Sequence, residues 1–348
     1  TTKMADTLLL KALKSQPKVV NLNNSHLDRV PSIIGNLTDV LQIRLKNNSI
    51  AELPPEFGKL TQLEILNLGN NIFEELPDAL KYLSSLLKLH LFNNRVKILA
   101  PSILYHMRNL TFLNLNNNKI RRLPPEICKL ASLQHLSMDN NLLMDLPFEM
   151  CALTNLQELH AAGNHLAGLP LEMGFLINIE KLYLQKNKIK ELPESLGKCY
   201  KLRVLDIAAN ELRIFPTEIG ALPLKELYCE QNPLLQYVPV HSVQEEEVLA
   251  LKELVARFIM RELKDRWSYL RRAIRHYPSV KEMLAQSSKC SVCGESFLNT
   301  WLECVTFIDA HKLLKTSNAC GTIPVRALLC SYKCFNAPGH EYYGVAFP

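Results

Sequence analysis

Two close cysteine pairs near the C-terminus carry the clearest chemistry in the chain. Cys290-x-x-Cys293-Gly294 and Cys330-x-x-x-Cys334-Phe335 are separated by 36 residues. Cysteines at such spacings fold as tight knuckles, and two knuckles supply four thiolates to one tetrahedral ion. The glycine after the first pair suits the sharp turn of a knuckle. Zinc is the expected cofactor, in a structural role, because four protein ligands close the coordination shell and leave no position for a reacting water. Cys304, Cys320, His311 and His340 remain reserve ligands, any of which could replace one of the four. A redox use of Cys290 and Cys293 would need a surrounding βαβ pattern, which the segment lacks. The chain offers no P-loop, HExxH, nucleophile elbow or Gly-rich dinucleotide loop, so the sequence reads as non-enzymatic.

The elements that must position those knuckles are a strand and a few helices. Thr300 to Ile308 has strand character and could join the knuckles in a small sheet, making 289–348 a cysteine-rich module. Upstream, Ser242 and Glu245 form a capping box, and Val248, Leu251, Leu254, Val255, Phe258 and Ile259 follow with helical period. This predicts a helix from about 243 to 264. A basic stretch follows (Arg266, Arg271, Arg272, Arg275), read as a solvated helix face. A third short helix is expected from Pro278 to near Gln286. Together 241–288 reads as a helical cap or linker.

Before residue 240 the chain is dominated by self-similarity. Leu63, Leu66, Leu68, Asn71, Phe73, Leu76 and Pro77 form one copy of a pattern, and Leu110, Leu113, Leu115, Asn118, Ile120, Leu123 and Pro124 another. The asparagine falls at Asn48, Asn71, Asn94, Asn118, Asn141, Asn164, Asn187, Asn210 and Asn232, in steps of 23 residues except 24 into Asn118 and 22 into Asn232. Ser25 holds the same place in an earlier, imperfect copy. The fold class is therefore α/β: a leucine-rich-repeat solenoid of about ten repeats over 17–240, its short strands stacked into a curved parallel sheet, followed by the small helical and zinc-knuckle module. Leucines two apart point inward from each strand, and neighbouring coils bury one another's leucines. The asparagine turns inward to hydrogen-bond the turn after the strand. The L-P pair sends the chain to the convex side, where segments such as Pro55 to Leu60 should form helical turns. Leu8, Leu9, Ala12 and Leu13 suit an N-terminal capping helix within 1–16. Cys128, Cys151, Cys199 and Cys229 read as packing thiols.

That register also gives the side chains on the outward, concave face of the sheet. Arg44 and Lys46 lie on an early coil, then His90, Phe92, Phe112, Asn114 and His135, and finally Tyr183 and Tyr228. The early coils are basic and the last two acidic, with Phe92 and Phe112 as apolar rings on adjacent strands. This is the anatomy of a protein-binding surface, an aromatic anchor inside a polar rim. His90, His135 and His160 are on nearby coils, but no carboxylate or thiol stands among them to complete a metal site.

The repeats resemble those of the intracellular Ras-suppressor and scribble class, whose members are scaffolds that bind small GTPases or phosphatases. Outside the repeat, Leu8 to Leu13, Glu226-Leu227-Tyr228-Cys229-Glu230, Cys290-x-x-Cys293-Gly294, Trp301-Leu302-Glu303-Cys304 and Cys330 to Phe335 resemble one intracellular leucine-rich-repeat family over nearly the whole chain. The cysteine pairs look like the knuckles of FCS or TRASH-type zinc fingers, with a longer intervening loop here. Ala250 to Ile259 is similar to the elongin-binding helix of ubiquitin-ligase substrate receptors, although Val255 stands where that family carries Cys or Ala. Tyr277-Pro278-x-Val280-x-x-Met283-Leu284 is loosely similar to a cullin box. This resemblance implies elongins B and C with a cullin as partners, reached through Leu251, Val255 and Ile259. Those three side chains would be exposed in a receptor and buried against the last repeat in a cap.

Length and composition bound the rest. The chain has 348 residues, 47% of them hydrophobic and 21% charged, a globular balance. Its net charge of +6 is spread among charges of both signs, so neither nucleic acid nor an anionic membrane is an expected partner. No stretch is apolar for long enough to span a bilayer, and the N-terminal residues lack the features of a signal peptide. Of ten cysteines none precedes Cys128 and six follow residue 289. A reducing, cytoplasmic setting is the expectation, with the nucleus left open.

Overall fold

The computed structural model describes residue 10 and residues 13–236, 249–299, 301–311 and 321–344. Most of the expected N-terminal capping helix, the capping box at Ser242 and Glu245, and the reserve ligand Cys320 lie outside them. Two compact units are present, one built on the repeats up to Leu212 with Gly220–Pro233, the other on Arg213–Ile219, Leu234–Ala310 and Gly321 onward.

In the first unit each repeat contributes a three-residue strand: β1 (Val19–Asn21), β2 (Gln42–Arg44), β3 (Ile65–Asn67), β4 (Lys88–His90), β5 (Phe112–Asn114), β6 (His135–Ser137), β7 (Glu158–His160), β8 (Lys181–Tyr183), β9 (Val204–Asp206) and β10 (Glu226–Tyr228). They pair in sequence order as one parallel sheet. The strands are short because only one inward leucine per strand, such as Leu66, Leu89 or Leu113, has to be presented to the core. Each of these is essentially without solvent contact.

The repeated asparagine closes each coil. Asn141 Nδ2 donates to Met138 O of its own coil and Leu115 O of the preceding one, both at 3.0 Å, and its Oδ1 accepts from Ile120 N at 3.1 Å. Asn71, Asn94, Asn118, Asn164, Asn187 and Asn210 repeat this pattern while buried. The turn needs one residue in the left-handed region, and Asn47, Asn70, Asn93, Asn117 and Asn140 supply it. Asparagine tolerates that conformation better than most residues, and these five also hydrogen-bond one another from coil to coil or to Asn24.

On the convex side the residues after L-P form 3-10 turns, as at Pro55–Lys59 and Pro125–Lys129, with proline at the first position. The one 24-residue coil departs from this. There Pro101–Leu104 forms an α-turn, α1. An α-turn rises less per residue than a 3-10 turn, so it absorbs the extra residue.

The second unit begins its helices with α2 (Leu251–Glu262), α3 (Leu270–Ala273) and α4 (Pro278–Ala285). The strand expected at 300–308 is β13 (Leu302–Asp309), after a small antiparallel hairpin of β11 (Ser288–Lys289) and β12 (Ser296–Phe297). β13 pairs antiparallel with β14 (Thr322–Leu329) on one edge and β15 (Tyr343–Gly344) on the other. A helical turn, α5 (Tyr332–Phe335), follows β14. Ala256 and Met260 of α2 pack with Leu284 and Leu298, so helices and cysteine-rich segment share one core.

Candidate functional sites: the concave sheet face and a four-thiol centre

Parallel register places outward side chains of the first unit in rows that cross the strands. One row runs Lys88, Phe112, His135, Glu158, Lys181; the next runs His90, Asn114, Ser137, His160, Tyr183, Asp206, Tyr228. Aromatic rings at these positions touch. His90 lies 4.9 Å from Phe112 and 6.4 Å from Phe92 between ring centres, and Phe112 lies 6.0 Å from His135. Farther along, His160 stacks on Tyr183 at 4.4 Å.

Phe92 and Phe112 are thereby half-buried rather than fully exposed. Lys46 Nζ sits 5.3 Å from the Phe92 ring centre, a cation–π contact that adds cover. Gly69 makes room for that ring, since a Cβ there would collide with it. Burial, then the charge of Lys88, holds His90 below the ordinary histidine range, so it is an uncharged ring in this row. Arg44 is exposed, while Lys46, Asn114, Tyr183 and Tyr228 are half-buried.

A carboxylate does stand among the histidines, a feature the sequence reading did not foresee. Glu158 Oε2 is 3.4 Å from His135 Nδ1 and 3.6 Å from His160 Nε2. Glu158 and His160 share the outward face of β7, and strand pairing brings His135 of β6 beside Glu158. Lys181 Nζ binds Glu158 Oε1 at 2.6 Å. Burial alone would raise the Glu158 pKa, but the Lys181 hydrogen bond and charge outweigh it and leave the carboxyl below its ordinary range. The negative charge a cation would seek is already neutralised by that lysine.

In the second unit the four cysteines singled out by spacing come together. The thiol sulfurs of Cys290, Cys293, Cys330 and Cys334 all lie within 4.8 Å of one another, and both Cys293–Cys330 and Cys330–Cys334 are 3.6 Å apart. Tetrahedral coordination at about 2.3 Å per Zn–S bond requires sulfurs roughly 3.8 Å apart, so the donor set fits such an ion. The β11–β12 hairpin holds the first pair: Cys290 N donates to Glu295 O, Gly294 N to Cys290 O, and Gly294 takes φ +71°. The second pair flanks the start of α5, where Ser331 caps the turn by accepting from Cys334 N.

Burial opposes ionisation of Cys290, but backbone N–H groups of Cys293, Cys330 and Val292 aimed at its sulfur lower its pKa to about 7. Among the reserve ligands, Cys304 is buried in the core with its pKa pushed up to about 12 by that burial. His340 is engaged with Phe335 O at 2.8 Å. His311 is exposed.

The helix α2 carries Leu251 and Val255 on its exposed side, at 76% and 47%, with Ile259 half-buried. Its opposite side holds Glu253, which the sequence reading passed over. This carboxylate is 1% exposed and accepts from Leu298 N at 2.9 Å, Asn299 N at 2.6 Å and Arg257 Nε at 2.7 Å. Its partners are two backbone groups 45 and 46 residues away, which no local pattern could announce. Cys151 and Cys199 are buried, their pKa values raised by burial to about 12 and 11, as packing thiols would be. Cys229, read from the sequence in the same way, is instead in a disulfide. Among the described residues no helix is long and apolar enough to cross a membrane.

Comparison with known proteins agrees with the repeat architecture. Residues 99–214 match the leucine-rich repeat region family and residues 61–120 the leucine rich repeat family. Leucine-rich repeat-containing protein 69 of Xenopus laevis is 48% identical over 125 residues, 36% of either chain. Its Homo sapiens counterpart is 42% identical over 123 residues, 35% of either chain. The matched stretch thus spans about a third of the length of these relatives. A leucine-rich-repeat protein of Leptospira interrogans superposes with a TM-score of 0.60 at 30% identity, covering 66% of this chain and 65% of its own. The plant peptide hormone receptor RGFR1, solved in complex with RGF2, gives 0.51 at 26% identity over 59% of this chain and 38% of its own. The sheet of ten parallel strands, its buried asparagine ladder and these matches give the chain a leucine-rich-repeat fold, and over about a third of its length it is similar to leucine-rich repeat-containing protein 69.

Proposed function

We propose that the chain is a non-enzymatic interaction scaffold that captures a protein partner on the concave sheet face. The row of touching rings Phe92, His90, Phe112 and His135 on an otherwise polar sheet carries this reading. Rings held in place before binding lose little freedom when a partner covers them, which is how interface anchors contribute most of the binding free energy. Arg44, Lys46, Asn114, Tyr183 and Tyr228 form the polar surround. Capture from cells with mass spectrometry tests this, comparing wild type with Phe92→Ala/Phe112→Ala. Partners lost on the double variant while its melting temperature is unchanged support the reading. A partner list identical for the two proteins would sink it.

In the second unit, Cys290, Cys293, Cys330 and Cys334 hold a structural zinc ion. The convergence of four sulfurs at tetrahedral separations supports this. Zinc would tie the β11–β12 hairpin to the start of α5, a stabilising cross-link in a small unit. Cobalt substitution should give thiolate charge-transfer bands, and their absence from the full chain would refute the site.

A second reading of the partner rests on α2. Exposed Leu251 and Val255, with half-buried Ile259, form a face that elongin C could cover, making the chain a substrate receptor of an elongin–cullin ligase. Elongins B and C captured by wild type and lost from folded Leu251→Asp would favour this reading over the scaffold. Their absence from the wild-type capture would exclude it.

A further inference from the structure

We infer that the concave face is built for an extended peptide segment of fixed charge polarity, laid across the strands with its basic end over β9 and β10. The inference rests on the concave-face reading above and names the partner's chemistry. At the early coils Arg44, Lys46 and Lys88 point outward, with no carboxylate at an outward strand position from β1 to β4. At the late coils the outward groups of β9 and β10 include Asp206, Glu226 and Glu230 and no lysine or arginine. Lys181 on the adjacent β8 does not balance them, because its ammonium is committed to Glu158. The touching rings lie between the two charged ends.

Two further observations mark the late coils as awaiting a donor. Asp206 has its pKa raised by burial and also by the like charge of Glu230, against a single hydrogen bond from Ala208 N. Two residues beyond the end of β8, whose Tyr183 is paired with Asp206, Gln185 Oε1 is shut off from solvent without a hydrogen-bond partner. A buried acceptor left unpaired costs stability until a donor reaches it. A lysine or arginine side chain supplies both the positive charge and the N–H groups.

Geometry fixes the spacing. Adjacent strands are about 4.8 Å apart and an extended chain advances about 3.3 Å per residue. From Phe112 on β5 to the carboxylates of β10 is five strand steps, so the basic residue stands roughly seven positions from the apolar anchor. An acidic residue belongs about four positions on the other side, over Arg44 on β2.

A random 16-residue peptide library selected on the full-length protein, and in parallel on Phe92→Ala/Phe112→Ala, tests this. The expected wild-type consensus is one large apolar residue with Lys or Arg about seven positions away. Affinity of such peptides should fall roughly tenfold on Glu230→Lys. Selection on Asp206→Lys/Glu230→Lys should enrich Asp or Glu at the same offset. Should that double variant fail to fold, Glu230→Lys alone, an exposed substitution, carries the same reversal of preference. Peptides enriched without a basic residue at the offset, or binding Glu230→Lys as well as wild type, overturn the polarity alone. No enrichment on wild type above the ring-deleted protein overturns the concave-face reading itself.

Discussion

Deleting a single asparagine from the buried ladder separates its role as a hydrogen-bonding hinge from simple space filling. In Asn141→Ala the Ile120 N–H loses its one acceptor, and Nδ2 no longer reaches Leu115 O or Met138 O. Those carbonyls are not orphaned, because Asn118 still donates to Leu115 O and Asn164 to Met138 O. The loss is therefore one unsatisfied buried donor, at about 1–3 kcal/mol, plus two shared hydrogen bonds at about 0.5 kcal/mol or more each. A total near 3 kcal/mol should lower the melting temperature of the repeat unit by about 6–12 °C.

Asn141→Asp is the informative companion. It keeps an acceptor for Ile120 but turns an oxygen toward the two carbonyls, so it should be at least as damaging as alanine. Asn232, in the last coil, is only partly buried, and Asn232→Ala should cost about half as much. Calorimetry with hydrogen exchange at Ile120 reads both the size and the place of the effect. Equal losses at Asn141 and Asn232, or an Asn141→Asp protein as stable as wild type, would refute the reasoning.

Other perturbations follow from the same contacts. Glu253→Ala leaves the N–H groups of Leu298 and Asn299 and the Arg257 guanidinium without their shared acceptor, and should destabilise the second unit by about 3–5 kcal/mol in urea unfolding. Burial raises the Glu253 pKa, but Arg257 and the two N–H groups outweigh it, so the folded value lies below the ordinary 4.5. Its contribution is then complete above pH 4.5 and disappears as pH falls through the folded value, a decline that Glu253→Gln should flatten. Ala209 sits at φ +54° without the asparagine or glycine that suits it, so Ala209→Gly should raise stability by about 0.5–1 kcal/mol in the same assay. Gly69→Val should displace the Phe92 ring and reduce partner capture as Phe92→Ala does. Chelation of zinc should remove the unfolding transition of the second unit and leave that of the repeats in place.

How much of this could be read from sequence depends on where each residue's partners lie. The asparagine ladder is legible because one side chain meets the same backbone groups in every coil, so its type recurs at a fixed period. The cysteine pairs are legible because a knuckle demands short spacing within each pair. Glu253 is not, since its partners are backbone groups in a distant segment and any residue type can supply an N–H. The outward positions are readable by register, but their contacts are not. Glu158 and His160 are neighbours along β7, but His135 joins them only when two strands are aligned, and the covering of Phe92 by Lys46 also spans coils. The α-turn at Pro101–Leu104 was visible only as the single 24-residue step.

The most direct test of partner capture on the concave face is site-specific photo-crosslinking in cells. A photoreactive residue in place of Asn114 lies on that face, and one in place of Tyr82 lies on an exposed convex turn. The same partner should be cross-linked from position 114 and not from position 82, and the product should disappear in the Phe92→Ala/Phe112→Ala background. Cross-linking from position 82 alone, or a product at 114 indifferent to loss of both rings, would contradict it.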